Sequence, residues 1–341
     1  MRMSENAQRS DMTMRSSRGQ TLVKQGERYA LIGVWLLLSF VFILLLPETF
    51  PSIANLSNML GSQAVLLILT LGLIFPLRAG DLDLSVASVL TLAATIVASL
   101  NVNFGWSVWT ASAVAIIAGL LVGMTNGFIV TKFDINPLIV TLGTGTLVVG
   151  LSAIVSNSRT ITGVDPALSD AVLFKPFWGI PVDFYYAVAL CFVVWFVFEK
   201  TAFGQKLLFV GQNKDVARLN GVAVKKVRFI SLVISGGVAG LAGVVYVGTT
   251  GSADPTSGAG FLLPAFAAAF LGSTTIKVGR FNAWGTLVAV YFLVTGITGL
   301  QLMGAQTYVQ DLFYGGGLVI AVVLSKIVRD RTEKSQIVQQ K

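Results

Sequence analysis

Long apolar runs alternate with short polar connections along almost the whole chain. About 20 apolar residues are needed for a helix to cross a bilayer, so the pattern predicts ten membrane-spanning helices. The run at 83–101 begins with acidic residues, and the run at 261–275 is short enough to be re-entrant. The ten runs fall at about 29–46, 58–77, 83–101, 107–130, 137–156, 182–198, 229–248, 261–275, 283–303 and 308–325.

Composition supports an all-α, polytopic membrane protein. Of the 341 residues, 54% are hydrophobic and only 12% are charged, whereas soluble domains carry roughly 25% charged residues. We therefore divide the chain into a polar N-terminal tail (1–28), a transmembrane domain (29–325) and a polar C-terminal tail (326–341). The first apolar run has no small-residue cleavage site after it, so we expect it to be retained as a span.

The basic residues predict the orientation of the spans. With a cytoplasmic N-terminus and ten spans, all of the 24 basic residues except Arg159 and Lys175 fall on the cytoplasmic side. This is the distribution that the positive-inside rule requires, and it places both termini in the cytoplasm. The net charge of +8 is then explained by cytoplasmic loops beside membrane lipid, and we expect no nucleic-acid partner.

The residue types exclude most catalytic chemistry. The sequence contains no histidine, and Cys191 is its single cysteine. Zinc sites of the His/Cys kind, Ser-His-Asp triads and CxxC redox pairs are therefore ruled out. The chain also lacks the GxxxxGK[ST] pattern of a phosphate-binding loop. We expect a non-catalytic chain that carries neither a metal nor a cofactor.

The segment GQNKDVARLNGVAV (211–224) predicts a short, capped helix inside the most basic loop, 199–228. Asn213 can cap its N-terminus, and Gly221 can supply the left-handed position that ends it. Asp215 in the first turn and Arg218 in the last turn both suit the helix dipole.

This predicted helix is too short to be stable alone, because isolated helices under about 12 residues are marginal in water. Val216 and Leu219 form an apolar face beside the small Ala217. Two interpretations remain open: the helix lies on its own transmembrane helices or the lipid surface, or it docks onto a cytosolic partner.

Polar residues within or beside the spans are the other candidates. Asp81 and Asp83 flank Leu82 at the start of the third span, where charge is costly and often functional. The alternative is a structural role for both acids at the cytoplasmic interface, where Asp83 caps the third helix and the two acids pair with Arg78. Asn126 either lines a pore or simply lies within a series of glycines spaced four residues apart, which serves helix packing. For threonines such as Thr141, helix packing alone is the simpler role. We treat Asp81, Asp83, Ser85, Asn126, Asn136 and Thr141 as candidate pathway or signature positions.

Three blocks of sequence resemble the ribose-type sugar permeases of bacterial ABC importers. They are AGDLDLSVASVLTLAA (79–94), GQNKDVARLNGVAVKKVRFISLVISGGVAGLAGVV (211–245) and PAFAAAFLGSTTIKVGRFNAWGTLVAV (264–290). The resemblance covers roughly 50–325. It implies a vitamin-B12-importer-like (type II) helical architecture, a second permease chain forming a homodimer, a cytosolic ATP-binding subunit and a periplasmic sugar-binding protein.

The resemblance also assigns roles to particular positions. The segment 213–222 matches the coupling helix that inserts into the ATPase, and its candidate contact residues are Asn213, Lys214, Asp215, Ala217, Arg218, Leu219 and Gly221. The largest outer loop, 157–181, carries charges of both signs and is a candidate docking site for the binding protein. Its candidate residues are Arg159, Asp165 and Asp170.

Together these features predict the permease subunit of an ATP-driven importer for a monosaccharide or related polyol in the bacterial inner membrane. The spans offer hydroxyl, amide and aromatic groups but few ions, which suits a neutral solute. Two alternatives stay open. One is a related permease for branched-chain amino acids, nucleosides or a furanose signal, and the other is a stand-alone secondary carrier.

Overall fold

A computed structural model describes residues 28–339, with side chains described as far as residue 323. This part of the chain folds into a bundle of helices with one two-stranded sheet. The helices are α1 (Arg28–Leu45), α2 (Ile53–Ser62), α3 (Ala64–Arg78), α4 (Val86–Ala98), α5 (Val108–Lys132), α6 (Pro137–Val155), α7 (Pro166–Leu173), α8 (Val182–Lys200), α9 (Ala202–Gln212), α10 (Lys214–Leu219), α11 (Val224–Thr250), α12 (Leu262–Gly272), α13 (Ala283–Leu302) and α14 (Tyr308–Gln339). The strands are β1 (Ile161–Thr162) and β2 (Ser252–Ala253), which pair antiparallel.

Eight helical segments in the described part of the chain are long and apolar enough to cross a membrane. One of these segments, Ile53–Arg78, consists of α2 and α3 together. In another segment the π-helical turn Ser99–Asn103 extends α4. The two remaining predicted spans coincide with the shorter apolar helices Ala259–Gly272 and Tyr308–Val323. The prediction of a polytopic helical membrane protein is therefore confirmed, while the count of ten spans and the type II architecture stay predictions.

The helix ends gather into two groups at opposite ends of the bundle. At the end that carries α10, which we call the basic end, the Arg28 carbonyl accepts hydrogen bonds from Thr275 and Ile276, and Arg78 donates to the Phe281 carbonyl. At the opposite end lie the β1–β2 pair and the loops that surround it. Arg159 and Lys175 belong to loops of this opposite end, as the alternation of spans predicts.

The helix α11 joins the bundle together, since it packs against α3, α4 and α5. Every residue of α3 is buried, which suits a helix that is apolar on all sides. The glycine ladder of α5 packs against α11, and a Cβ atom at Gly119 would overlap the carbonyl oxygen of Gly236. Gly123 lies equally close to the Leu232 carbonyl. The ladder therefore serves close helix packing, as predicted for glycines at this spacing.

Two segments without α-helix enter the bundle and meet the first turns of α4. The segment 79–85 comes from the basic end, and the segment 254–261, which ends in the 3-10 turn Ala259–Phe261, comes from the opposite end. The backbone N–H of Gly258 donates to Thr91 Oγ1 at 2.9 Å, and a Cβ at Gly258 would overlap the Ala87 carbonyl. Irregular backbone at membrane depth is tolerated only where protein or a polar cavity surrounds it.

Asp254 anchors the second of these segments at its outer end. Its carboxylate accepts hydrogen bonds from Thr256 and, at 2.7 Å, from Thr160 of the neighbouring loop. These bonds hold the pKa of Asp254 below its ordinary value. The segment is thus fixed at both ends, by Asp254 at the surface and by Gly258 inside the bundle.

The helices α3–α6 and α11–α14 repeat one arrangement in opposite directions. In each set a buried helix is followed by a non-helical segment, a short helix of 13 or 11 residues and two further helices. In the first set, the short helix α4 contacts both α5 and α6. In the second set, the short helix α12 contacts both α13 and α14. Inverted repeats with interrupted helices are a known way to build a pathway near the middle of a membrane.

The loop predicted at 199–228 is mostly helical. The α8 helix continues to Lys200, and α9 and α10 follow before α11 begins at Val224. Thr201 caps α9 by accepting from the Gly204 N–H at 3.2 Å. A search for apolar runs does not detect α9 and α10, because these helices lie at the end of the bundle and therefore carry polar residues. At the other terminus, α14 continues as helix through the predicted tail to Gln339.

We expect Gly119→Leu to disrupt the fold, because its side chain would collide with the backbone of α11 and no rotamer change relieves such a clash. Overpacking typically costs about 1–3 kcal/mol even where side chains can move. Gly143→Leu on α6 is the matched control, since nothing lies within 4 Å of a Cβ at Gly143. Size-exclusion profiles and thermal unfolding after detergent extraction measure the difference. Equal profiles and unfolding temperatures for the two variants would contradict the packing of α5 on α11.

Candidate functional site

The candidate site is the segment 79–85, which links α3 to α4. Gly80 adopts a left-handed conformation with φ of 78°, and the Asp81 N–H donates to the Pro76 carbonyl at 2.9 Å. This turn directs the chain back into the bundle. Asp81 and Asp83 are each only 1% exposed, so the segment brings two carboxyl groups into the interior.

Asp81 is held by two cations from distant parts of the chain. Its Oδ1 accepts from Lys214 Nζ at 2.9 Å, and its Oδ2 accepts from Arg228 Nε at 2.7 Å. Lys214 is the first residue of α10, and Arg228 lies in the first turns of α11. The carboxylate therefore ties the predicted coupling helix to the transmembrane core.

Arg228 has a second acidic partner at the surface. Its Nη1 lies 3.6 Å from Oδ1 of Asp134, which follows α5. The four charged groups Asp81, Lys214, Arg228 and Asp134 form a balanced set. Burial of a charge is tolerable when such partners and hydrogen bonds compensate it, whereas removal of one partner leaves the others uncompensated.

Asp83 is satisfied by hydroxyl and amide groups without a cation. Its Oδ1 accepts from the N–H and, at 2.6 Å, the Oγ of Ser85, and its Oδ2 accepts from Ser235 Oγ at 2.8 Å. Ser235 lies eleven residues beyond Val224, which is roughly 16 Å along α11 at about 1.5 Å per residue. The segment 79–85 therefore reaches about the middle of a hydrocarbon core of roughly 30 Å.

A chain of polar side chains continues from Ser85 to α5 and α6. Asn126 Nδ2 donates to Ser85 Oγ at 2.9 Å, and Thr144 Oγ1 donates to Asn126 Oδ1 at 2.6 Å. Thr141 Oγ1 accepts from the Leu84 N–H at 3.0 Å and donates to the Leu82 carbonyl. Five of the six candidate pathway positions thus lie in the segment 79–85 or bond to it, and we call this set the buried polar network: Asp81, Asp83, Ser85, Asn126 and Thr141.

The sixth position, Asn136, lies outside this network. It is exposed and caps α6 by accepting from the Leu138 N–H at 3.0 Å. The alternative pairing of Asp81 and Asp83 with Arg78 is wrong. Arg78 donates to the carbonyls of Phe198 and Phe281, and its closest acidic partner is Glu199 at 3.9 Å. Arg78 is the last residue of α3 and stays at the basic end, whereas Asp83 turns inward.

The structure adds three residues that the sequence analysis did not select: Thr144, which donates to Asn126, and Arg228 and Ser235 of α11. The two residues of α11 had a signal in the sequence, because Arg228, Ser231 and Ser235 recur on one side of a largely apolar helix, and all three are buried. A polar stripe at helical spacing on an apolar span points toward polar partners inside the bundle. Its partners could not be chosen from sequence, since Asp83 lies 152 residues away from Ser235.

The α10 helix has the caps that the sequence predicts. Asn213 Oδ1 accepts from the N–H groups of Asp215 and Val216 at 3.0 Å, and Gly221 is left-handed with φ of 78°. Ala217 is fully buried against the bundle, whereas Leu219 is 87% exposed. The helix therefore rests on its own chain through its small residue and directs its larger apolar side chain outward.

The candidate receptor-docking residues lie at the opposite end, far from the buried polar network in the fold. Arg159, Asp165 and Asp170 are all exposed. Asp165 caps α7 by accepting from the Ala167 N–H at 2.9 Å, so it has a structural role there. In the part of the chain with described side chains, no group of three Cys, Asp or Glu residues gathers to hold a metal ion.

The chain belongs to a family of transport permeases. Residues 55–322 match the family model described as the permease component of the branched-chain amino acid transport system. The match covers the whole helical core, including the buried polar network and α10. The chain is thus a permease component of an ABC transporter, in which ATP hydrolysis occurs in a separate subunit.

Within this family the chain is similar to sugar permeases. It is 28% identical to the D-allose transport system permease protein AlsC of Escherichia coli (strain K12), over 89% of this chain and 92% of that protein. It is 30% identical to the ribose import permease protein RbsC of Bacillus subtilis (strain 168), over 86% and 91%. It is 29% identical to the L-arabinose transport system permease protein AraH of Escherichia coli (strain K12), over 88% and 90%. The predicted resemblance to ribose-type permeases is confirmed. No solved structure matches the chain.

We expect Asp81→Asn to destabilise the protein by about 3–5 kcal/mol, because it leaves Arg228 buried and without its closest partner. Asp215→Asn is the matched control, since its surface ion pair with Arg218 is 3.6 Å long and solvent-exposed and such pairs contribute about 0–1 kcal/mol. Thermal unfolding in detergent compares the two variants with the parent protein. Unfolding of the Asp81→Asn variant at the parent temperature would show that the buried pair is not needed for the fold.

Proposed function

We propose that this chain is the translocating subunit of an ATP-driven importer for a monosaccharide or related polyol, coupled through α10 to a cytosolic ATP-binding subunit. The observation that carries the proposal is the construction of α10. It is anchored inward through Lys214 on Asp81 at 2.9 Å, and it exposes Leu219 and Arg218 outward. A short helix with this arrangement can transmit a push from a bound partner to the buried polar network.

The outward surface of α10 suits a protein partner. Leu219 is 87% exposed and Val216 is 43% exposed, beside the charged side chains of Asp215 and Arg218. An apolar anchor surrounded by polar groups is the usual anatomy of a protein–protein contact. The surface lies at the basic end, which the positive-inside rule assigns to the cytoplasm.

A neutral solute agrees with the interior of the bundle. The buried acids of the network are already satisfied, Asp81 by Lys214 and Arg228, and Asp83 by Ser85 and Ser235. Their carboxyl oxygens already have hydrogen-bond partners and are not offered to the ammonium group of a charged solute, whereas hydroxyl and amide groups can exchange hydrogen bonds with a polyol. The sugars for which the similar permeases are named, allose, ribose and arabinose, are of this chemical kind.

The remaining parts of the proposal concern assembly and location. The chain lies in the bacterial inner membrane with both termini in the cytoplasm, pairs with a second identical chain and receives its solute from a periplasmic binding protein. The exposed residues Arg159, Asp165 and Asp170 at the opposite end are the proposed contacts for that protein. They are well placed for this role because α10 and the opposite end face different sides of the membrane.

We expect Leu219→Asp and Arg218→Glu to leave the protein folded but to reduce recovery of an ATP-binding subunit about tenfold. A tenfold loss corresponds to about 1.4 kcal/mol, which is within the cost of losing one energetically important contact residue in an interface. The measurement is affinity purification of the tagged chain from its native membranes in mild detergent. Lys206→Glu is the control, an exposed basic residue of the same region outside α10.

Two outcomes would reject this coupling. One is full recovery of the ATP-binding subunit with both α10 variants. The other is a purified chain that carries solute into liposomes without any ATPase, which would identify a stand-alone secondary carrier.

The family description supports one alternative solute class, branched-chain amino acids. Uptake by cells that express the complete transporter separates the alternatives. We expect at least one of D-ribose, D-allose and L-arabinose to be taken up, with the Leu219→Asp transporter as the inactive control. L-leucine should not be taken up, because Lys214 and Arg228 are already paired with Asp81 and the oxygens of Asp81 and Asp83 already accept hydrogen bonds. Uptake of leucine without any of the three sugars would favour the alternative.

A further inference from the structure

The segment 254–261, which contains no α-helix, lies deep within the membrane part of the bundle. Gly258 contacts the first two turns of α4, at the Ala87 carbonyl and the Thr91 hydroxyl, and α4 begins near the middle of the hydrocarbon core. The next helix, α12, has only 11 residues. At about 1.5 Å per residue it covers roughly half of a core of about 30 Å before it reaches the basic end. Both observations place Gly258 and the residues after it well inside the membrane.

One side of this segment is left uncovered by the rest of the described chain. Thr256, Ala259 and Gly260 are exposed, whereas Gly258 between them is buried. A Cβ atom at Gly260 would meet nothing within 4 Å. The open surface therefore consists of a hydroxyl group, a methyl group and the main chain.

This surface differs from the face that a spanning helix presents to lipid. Tyr186, Val193 and Phe196 follow one another along one side of α8, and each is about half exposed. Between Asp254 and Phe261 the segment exposes no large apolar side chain. Irregular backbone at membrane depth occurs only where protein surrounds it or where it lines a water-filled cavity, because lipid offers no hydrogen bonds.

We propose that the exposed side of 254–261 faces water and forms part of the wall along which a neutral, hydroxyl-rich solute crosses the membrane. The Thr256 hydroxyl and the main chain at Ala259 and Gly260 are groups with which such a solute can exchange hydrogen bonds. The absence of a side chain at Gly260 lets the solute approach the backbone. The proposal rests on the proposed importer function and adds the position of the pathway on this chain.

The course of the segment supports this assignment. It starts at the opposite end, where Thr160 donates to Asp254, and it ends at mid-depth, where α12 begins. It thus leads from the side at which the solute arrives toward the depth of Ser85. Transporters built from inverted repeats place their solutes beside interrupted helices near the midplane.

A second chain is the other candidate to cover this surface. A membrane-spanning helix has its backbone groups paired internally, so it offers few partners to exposed main-chain amides. Water and a hydroxyl-bearing solute both donate and accept hydrogen bonds. They therefore match this surface better than a helix of a second copy does.

Cysteine accessibility tests whether the surface faces water. The full-length chain is placed in lipid nanodiscs, so that both membrane faces are open to MTSET, a water-soluble methanethiosulfonate with a quaternary ammonium group. The native Cys191 is fully buried and gives an unreactive background. We expect Ala259→Cys and Gly260→Cys to react at least about tenfold faster than Val193→Cys, because a thiol in lipid stays protonated and the thiolate is the reactive form.

The controls are matched to location. Val193 represents an exposed position within the membrane, since it is 53% exposed on α8. Asp170→Cys represents a position in water, because Asp170 is exposed at the opposite end. Reaction is followed as the mass increase of the intact chain. Since a Cβ at Gly260 has free space around it, Gly260→Cys still decides the question if Ala259→Cys fails to fold.

A second experiment asks whether the water-facing side belongs to the route of the solute. We expect Gly260→Trp to reduce uptake of D-ribose, D-allose or L-arabinose at least about tenfold in cells that express the complete transporter, because the indole would narrow the passage. Ala189→Trp is the control, since it adds the same side chain at an exposed position of α8, and it should transport as the parent does. The variants are compared at equal amounts in the membrane and with equal recovery of the ATP-binding subunit.

Two results would overturn the proposal. Reaction of Ala259→Cys and Gly260→Cys as slow as that of Val193→Cys would show that lipid or a second chain covers the segment. Fast reaction together with parental uptake by Gly260→Trp would assign the surface to a water-filled crevice away from the route. The labelling needs neither an ATPase nor a transported sugar. A parent transporter that takes up no sugar would contradict the proposed function, whereas the labelling would still show whether the segment faces water.

Discussion

The burial of Asp81 is the constraint on which the arrangement of the chain depends. A carboxylate that is 1% exposed has to be matched by cations, and Lys214 and Arg228 supply them at 2.9 and 2.7 Å. This requirement fixes where α10 begins and how the first turns of α11 are oriented. Asp134 balances the charge of Arg228, so the end of α5 is drawn into the same set. The short helix exposed at the basic end is thus held by the interior of the bundle.

The close packing of α5 on α11 makes this connection continuous. Because Gly119 and Gly236 allow the two backbones to touch, α11 is supported along its length between Arg228 and Ser235. Ser235 in turn holds Asp83, and Asp83 holds Ser85. A displacement of α10 would therefore shift both Asp81, near the basic end, and Ser85, near the middle of the bundle. The segment 254–261 meets α4 next to this point through Gly258.

Hydropathy was sufficient to predict the membrane class and nearly all helices that cross the bundle, because lipid exposure selects long apolar runs. The caps of α10 were also predictable, since Asn213 and Gly221 act on their immediate neighbours. The depth of the segment 79–85 was not, because it depends on Ser235 and Asn126, which are distant in sequence. The error about Arg78 has the same origin. Proximity in sequence suggested Asp81 and Asp83 as its partners, whereas the fold turns both acids inward and leaves Arg78 beside Glu199.

The distances in sequence between these partners have a consequence for biosynthesis. Lys214 and Arg228 lie 133 and 147 residues after Asp81. During synthesis, α3 and α4 enter the membrane before Lys214 and Arg228 have been made. The segment 79–85 between them therefore has to stay close to water until those cations are available. The first set of helices cannot reach its final depth as an independent unit. The segment 79–85 instead becomes buried only after α10 and α11 have been synthesised and supply Lys214 and Arg228.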